Sequence, residues 1–276
     1  MGVQGRRYQL TQHKTGKLLD QLMGLRFSVG AISQAPGKVA AALKVPVAQT
    51  VDSLGQAKAL WMDETHHPRK GAGNWVWAAV QPLLAVFAID PSRARYLLND
   101  LIGTQPSAVV TTDRYASYAF LDPEQRQICW AHLLRDFNRI GQRAGLAGPI
   151  GLIGPIGRRL HALGYGMVRL RDKGQLTGRT SAGPIAARSF TTNTALVPTN
   201  NAADQALRSS VLKRKLSGPT RSLRGDQFLS RGFTVHETCL HQGVDRWNYL
   251  HKAVVAWIDK TVPPSLLPPP RAVPTG

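Results

Sequence analysis

The chain has 276 residues and carries 35 Lys and Arg against 16 Asp and Glu, a formal charge of +19. At 43% hydrophobic residues it is too apolar for a disordered basic tail, and its length suits one large domain or a domain with a small accessory. Two cysteines build no disulfide framework, which predicts a reducing, cytoplasmic setting. The basic Arg6-Arg7 start lacks the apolar run of a signal peptide. The most apolar stretch, 74–89, is interrupted by Gln81-Pro82 and is too short to span a bilayer, so no membrane association is expected. Excess positive charge calls for a polyanion, and nucleic acid is the expected partner.

Residues 14–23 place Leu18, Leu19, Leu22 and Met23 on one helical face. Gly24 interrupts, and Ser28 can cap a second helix from Val29 towards Leu43, with Pro36-Gly37 expected to bend or restart it. Helix, glycine turn and helix outline a helix-turn-helix-like segment over 1–57, which could read DNA, although plain packing is the commoner meaning of such a pattern. Three strands follow: 59–62 ending in Asp63-Glu64, then 74–80 and 83–89, the last two pairing as a hairpin. Ser92 is expected to cap a helix that stops at Gly103. Ala108-Val109-Val110 and 126–130 read as two further strands, the second opening a helix near Ala131. This order predicts an α/β fold, a mixed sheet flanked by helices, over 58–260. Gly148-Pro149-Ile150-Gly151 recurs as Gly154-Pro155-Ile156-Gly157, and 174–199 reads as a loose insert. A helix restarts at Asn200-Asn201, and the Pro-rich tail, 261–276, is expected to be extended and mobile.

Because acids are scarce, their positions carry information. Asp63 and Asp113 each follow an apolar strand-like run, where carboxylates of an α/β sheet face the ligand crevice. Two such groups on neighbouring strands repel unless a cation lies between them, and Mg²⁺ suits oxygen ligands and phosphate substrates. Each Asp could equally cap the loop that follows it. Asp204 is the candidate third acid, although with Asn201 as cap it could simply bond back to the helix start, or pair with Arg208 one turn on. Cys129, His132, Cys239 and His241 have spacings atypical of zinc; a buried thiol and a packed imidazole are the simpler reading. His66-His67 beside Asp63 reads as a loop pair.

Asp63-Glu64-Thr65, Trp75-Val76-Trp77, Asp113-Arg114-Tyr115-Ala116-Ser117-Tyr118, Cys129-Trp130-Ala131-His132-Leu133-Leu134-Arg135-Asp136 and the run 198–208 occur in this order, with Pro264-Ser265-Leu266-Leu267-Pro268 near the end. The set resembles the DDE transposases of bacterial insertion sequence sixty-six, the TnpC type, over about Tyr8 to Pro268. The resemblance implies an RNase H-like catalytic domain, with Asp63, Asp113 and Asp204 as catalytic acids and metal ligands for two Mg²⁺ ions, Mn²⁺ being a substitute. It places His132, Arg135 and Arg208 beside the site. It implies cleavage at the element's ends and strand transfer into target DNA by a homo-oligomer, in the cytoplasm on the nucleoid. Asp204 stands where the family has Glu, and His66-His67 where it has Gly-Trp. Those departures, with the absence of the longer relatives' N-terminal segment, point to a shortened copy. The alternative is therefore a catalytically impaired remnant acting only as a basic DNA-binding protein. Lys213, Arg214, Lys215, Arg221 and Arg224 are the expected DNA-backbone contacts.

Overall fold

The computed structural model describes residues 10–142, 153–173 and 197–269. Three helices come first: α1 (Gln12–Met23), α2 (Val29–Ala42) and α3 (Lys44–Leu54). Gly24 ends α1 at φ 64°, a left-handed conformation that an L side chain would strain. Ser28 caps α2 by accepting the Ala31 N–H. Of the expected bend or restart at Pro36-Gly37, the restart does not occur: α2 runs through Pro36. A proline removes a single helical N–H, and Ile32, Ala40 and Ala42 bury the inner face of this helix. The separate helix α3 has no clear signal in the sequence.

Five strands form one sheet: β1 (Ala59–Arg69), β2 (Ala72–Val80), β3 (Ala85–Asp90), β4 (Val109–Thr112) and β5 (Arg126–Ile128). Their order is β3-β2-β1-β4-β5. The pairs β1–β2 and β2–β3 are antiparallel, while β1–β4 and β4–β5 are parallel. The sheet is therefore mixed and flanked by helices, an α/β fold consistent with the RNase H-like expectation. Lys70 and Gly71, both at positive φ, close the β1–β2 hairpin with the twist that antiparallel strands favour.

The remaining helices are α4 (Arg95–Ile102), α5 (Trp130–Gln142), α6 (Ile153–Asp172), α7 (Asn201–Ser217), α8 (Leu223–Gln242) and α9 (Arg246–Ile258). Helix α4 begins at Arg95, three residues beyond Ser92, with Ala94 and not Ser92 at the N-cap. The Ser92 hydroxyl instead accepts the Ala94 N–H, while the Ser92 N–H donates to Asp90. The second Gly-Pro-Ile-Gly copy lies inside α6. There Gly157 crosses so close to Gly141 that an added Cβ would stand 2.4 Å from the Gly141 nitrogen. The first copy lies outside the described residues, as does the insert apart from 197–199.

The two sheet faces bury different partners. Leu60, Met62, Trp77 and Val110 pack with Leu54 of α3, with Leu98 and Leu101 of α4, and with Tyr118. Trp61, Val76, Ala78 and Phe87 pack on the other face against Ala203, Ala206 and Leu207 of α7. Edge strand β3 is covered by α8, whose Thr238 and Thr234 hydroxyls accept the Ala85 and Phe87 N–H groups. The start of the Pro-rich tail is docked: Leu266 is buried, and the Tyr249 hydroxyl donates to the Pro264 carbonyl. No helix among the described residues is long and apolar enough to cross a membrane.

Candidate active site

Strand β1 pairs with β4 only over Ala59–Trp61, opposite Val109–Thr111, and continues beyond Trp61 with β2 alone. Asp63 therefore lies within a strand, opposite Ala78, and not at its end as expected. The end that matters is that of β4, which stops at Thr112 and releases the crevice beside β1. Asp113 follows immediately, its Oδ1 held by the Tyr115 N–H at 2.8 Å. Carboxylate oxygens of Asp63, Glu64 and Asp113 lie within 4.8 Å of one another, the candidate metal-holding group found among the described residues.

Asp204 reaches this place from α7. The expected cap, Asn201, is already helical; Asn200 holds the N-cap position and is fully buried. It makes no cap bond. Its Nδ2 donates to the Met62 carbonyl at 2.8 Å, and its N–H donates to Cys129 Sγ at 3.1 Å. These bonds pin the start of α7 against β1 next to Asp63, and the Asp204 side chain is hydrogen-bonded to Asp63. Burial, that bond and the nearby Glu64 and Asp204 carboxylates push the Asp63 carboxyl up to about 8. Without a cation, these surroundings favour the protonated form of Asp63. Asp63, Glu64, Asp204 and Arg208 line a cavity of about 310 Å³ with Leu207 and Val211, although the Glu64 side chain itself is fully buried. Closely spaced carboxylate oxygens, one of them raised by burial and by its acidic neighbours, fit a hard divalent ion.

Glu64, one residue along, points to the opposite sheet face, because side chains alternate along a strand. Its carboxylate is completely buried and pairs with Arg93, whose Nε lies 2.7 Å away. The Tyr118 hydroxyl donates to its other oxygen at 2.6 Å. Burial raises the Glu64 carboxyl, opposed by Tyr118 and Arg93. Sequence reading missed this residue as part of the site. The available signal was a Glu adjacent to a candidate acid within an otherwise apolar strand.

His132 sits in the first turn of α5, three residues beyond Cys129, and its Nδ1 is buried without a hydrogen-bond partner. The neighbouring Cys129 thiol raises the imidazole, aided by the Asp204 charge; burial raises the thiol, but His132 and the Asn200 N–H outweigh it and lower the Cys129 value overall. Arg135, exposed one turn on, adds positive charge beside His132. Cys239 lies in a different part of the core, against Leu43, Val47 and Tyr249. His66 and His67 belong to β1 and not to a loop. His66 stacks edge-on against Trp75. His67 is buried, with Nε2 3.2 Å from Thr220 Oγ1 and 3.6 Å from Asp226. Burial and the Lys213 charge push His67 down to about 4, so the contact with Asp226 involves a neutral ring. Arg69 and Asn74 also donate to Asp226, tying the hairpin tip to the start of α8.

The basic residues form a separate region. Lys213 stands nine residues beyond Asp204 on α7, about 13 Å at the helical rise. Lys213, Arg221 and Arg224 line a cavity of about 600 Å³ together with Thr11 and Ser33 of the N-terminal segment. Arg214 donates to the His66 carbonyl, and Lys215 is exposed.

Residues 7–150, more than half of the chain and including Asp63 and Asp113, match the Transposase IS66 family. The chain belongs to this family. Among curated proteins, none matches it. As an IS66-family transposase the chain is a DNA-acting protein of insertion-sequence transposition; such transposases use a divalent metal, and the chain carries an acidic group of Asp63, Glu64 and Asp113.

Proposed function

We propose that this IS66-family chain catalyses metal-dependent phosphoryl transfer on DNA, cutting a strand at an insertion sequence's end and joining the freed 3′-hydroxyl to target DNA. What supports this reading is the closeness of the Asp63 and Asp113 carboxylate oxygens, within 4.8 Å of each other, with Asp204 of α7 beside Asp63. Those three acids would hold Mg²⁺, or Mn²⁺ in its place. Two such ions, when bound, help deprotonate the attacking oxygen and stabilise the leaving one.

The chain's own residues supply the rest. Asp63 gives up its proton as the site fills. Asn200 and Cys129 hold the start of α7 so that Asp204 faces β1. Arg208, exposed on the cavity's edge, and Arg135 neutralise phosphate near the cut. Lys213, Arg214, Lys215, Arg221 and Arg224 contact the DNA backbone at a distance from the acids, in a homo-oligomer that brings ends and target together.

One observation favours slow turnover. Asp204 meets Asp63 but is outside the group of oxygens within 4.8 Å, as expected of a side chain one methylene shorter than Glu. A misplacement of about 1 Å, roughly one methylene's reach, costs about 100-fold in rate. The test is nicking of end-containing DNA by the purified chain. Asp63→Asn should abolish Mg²⁺-dependent nicking, a loss of about 1,000-fold or more, and leave DNA affinity unchanged or stronger. Nicking that survives this substitution would overturn the assignment.

A further inference from the structure

We propose that Glu64 is a positioning residue, not a metal ligand: through Arg93 it fixes the segment that carries Asp113. This rests on the reading of Asp113 as part of the metal site. Proximity alone would make Glu64 a ligand, since its carboxylate lies within 4.8 Å of both Asp63 and Asp113. Its bonds argue otherwise. Arg93 occupies Oε1 through both Nε and Nη2, and the Tyr118 hydroxyl occupies Oε2. Three of the carboxylate's roughly four lone-pair positions are occupied, and its charge is already balanced by a guanidinium.

The same two partners grip the chain that follows β4. The Arg93 guanidinium lies 3.5 Å from the centre of the Tyr115 ring, with the Trp75 ring 4.5 Å away. The Ser117 hydroxyl donates to the Arg93 carbonyl at 2.7 Å. Tyr115 in turn donates its N–H to Asp113 Oδ1. Residues 115, 117 and 118 are thus each fastened to Glu64 or Arg93, and the first of them orients the Asp113 carboxylate. Arg93 comes from the segment after β3, so the device joins β1, the β3–α4 connection and the β4 exit on the sheet face away from Asp204. Groups that hold a ligand's orientation usually change metal affinity 10–100-fold when removed.

The two roles predict opposite signs for Arg93. If Glu64 positions Asp113, then Arg93→Ala and Glu64→Gln each weaken Mn²⁺ binding by about tenfold, and the double variant is no weaker than either single one. If Glu64 is a ligand, Arg93→Ala frees a carboxylate and removes a positive charge, so Mn²⁺ binds more tightly. Glu64→Gln then weakens it as far as Asp113→Asn does. Mn²⁺ titration of the full-length chain, followed by electron paramagnetic resonance below each variant's melting temperature, reads this difference without requiring turnover. Tighter binding by Arg93→Ala overturns the proposal while leaving the metal reading intact. No Mn²⁺ binding by the unsubstituted chain overturns both.

Discussion

Asp63 and Glu64 are neighbours on one strand, yet the two faces of β1 treat them in opposite ways. Glu64 faces a closed set of partners: a guanidinium, a phenol and the aromatic rings that hold them. Asp63 faces another carboxylate, on the wall of an open cavity, and is left protonated. A buried acid with its counter-charge built in contributes to structure, whereas one surrounded by like charge is poised for something absent from the polypeptide. The contrast separates the scaffold of this site from its chemistry more sharply than burial does.

Removing each acid should therefore shift stability in opposite directions. Glu64→Ala strands Arg93 and the Tyr118 hydroxyl, and should cost about 3 kcal/mol in denaturant unfolding. Asp63→Asn removes the crowded carboxyl and should raise the melting temperature of the metal-free protein by roughly 2–4 °C. A loss from both substitutions would erase the distinction between the faces.

The pH dependence sharpens it further. Asp63 has a folded-state value raised to about 8 from an ordinary 3.8. Over that window the folded chain keeps a proton that the unfolded chain releases, so this group's contribution is fully present below the lower value and is lost as pH rises towards the upper one. Mg²⁺ competes with that proton, so the stabilisation it gives should grow from about pH 5 to about pH 8, and Asp63→Asn should flatten the trend. Thermal melts with and without Mg²⁺ at each pH measure this. The smallest effect lies in the basic region. Arg221→Ala or Arg224→Ala should each lower the salt dependence of DNA binding by about one unit of slope, leaving metal-induced stabilisation unchanged.

Much of the sheet is legible in the sequence, because Trp, Val and Phe runs bounded by Gly, Pro and Asp carry the strand signal locally. The length of β1 is not. Thr65, His66 and His67 look like loop residues, and they remain in the strand because β2 pairs with them and Thr220 and Asp226 receive the hairpin's tip. The positions of Asp63 and Asp113 as candidates follow from the apolar runs before them. Asp204 is different: position alone left it as a helix-start acid, and only the long-range bond from Asn200 to Met62 shows why it faces Asp63. The Glu64–Arg93 pair spans 29 residues and has no local pattern at all. Helices α8 and α9 were equally hidden, their apolar faces being shaped to β3 and to α2.

The central claim is that three acids distant in sequence act together on DNA through a divalent ion. Nicking of end-containing DNA by the unsubstituted chain, beside Asp204→Glu, tests it most directly. The account predicts slow nicking that requires Mg²⁺ or Mn²⁺ and becomes faster with Asp204→Glu, because the longer side chain joins the other two oxygens. Nicking that persists in a chelator, or that Asp204→Glu leaves unchanged or slows, would contradict it.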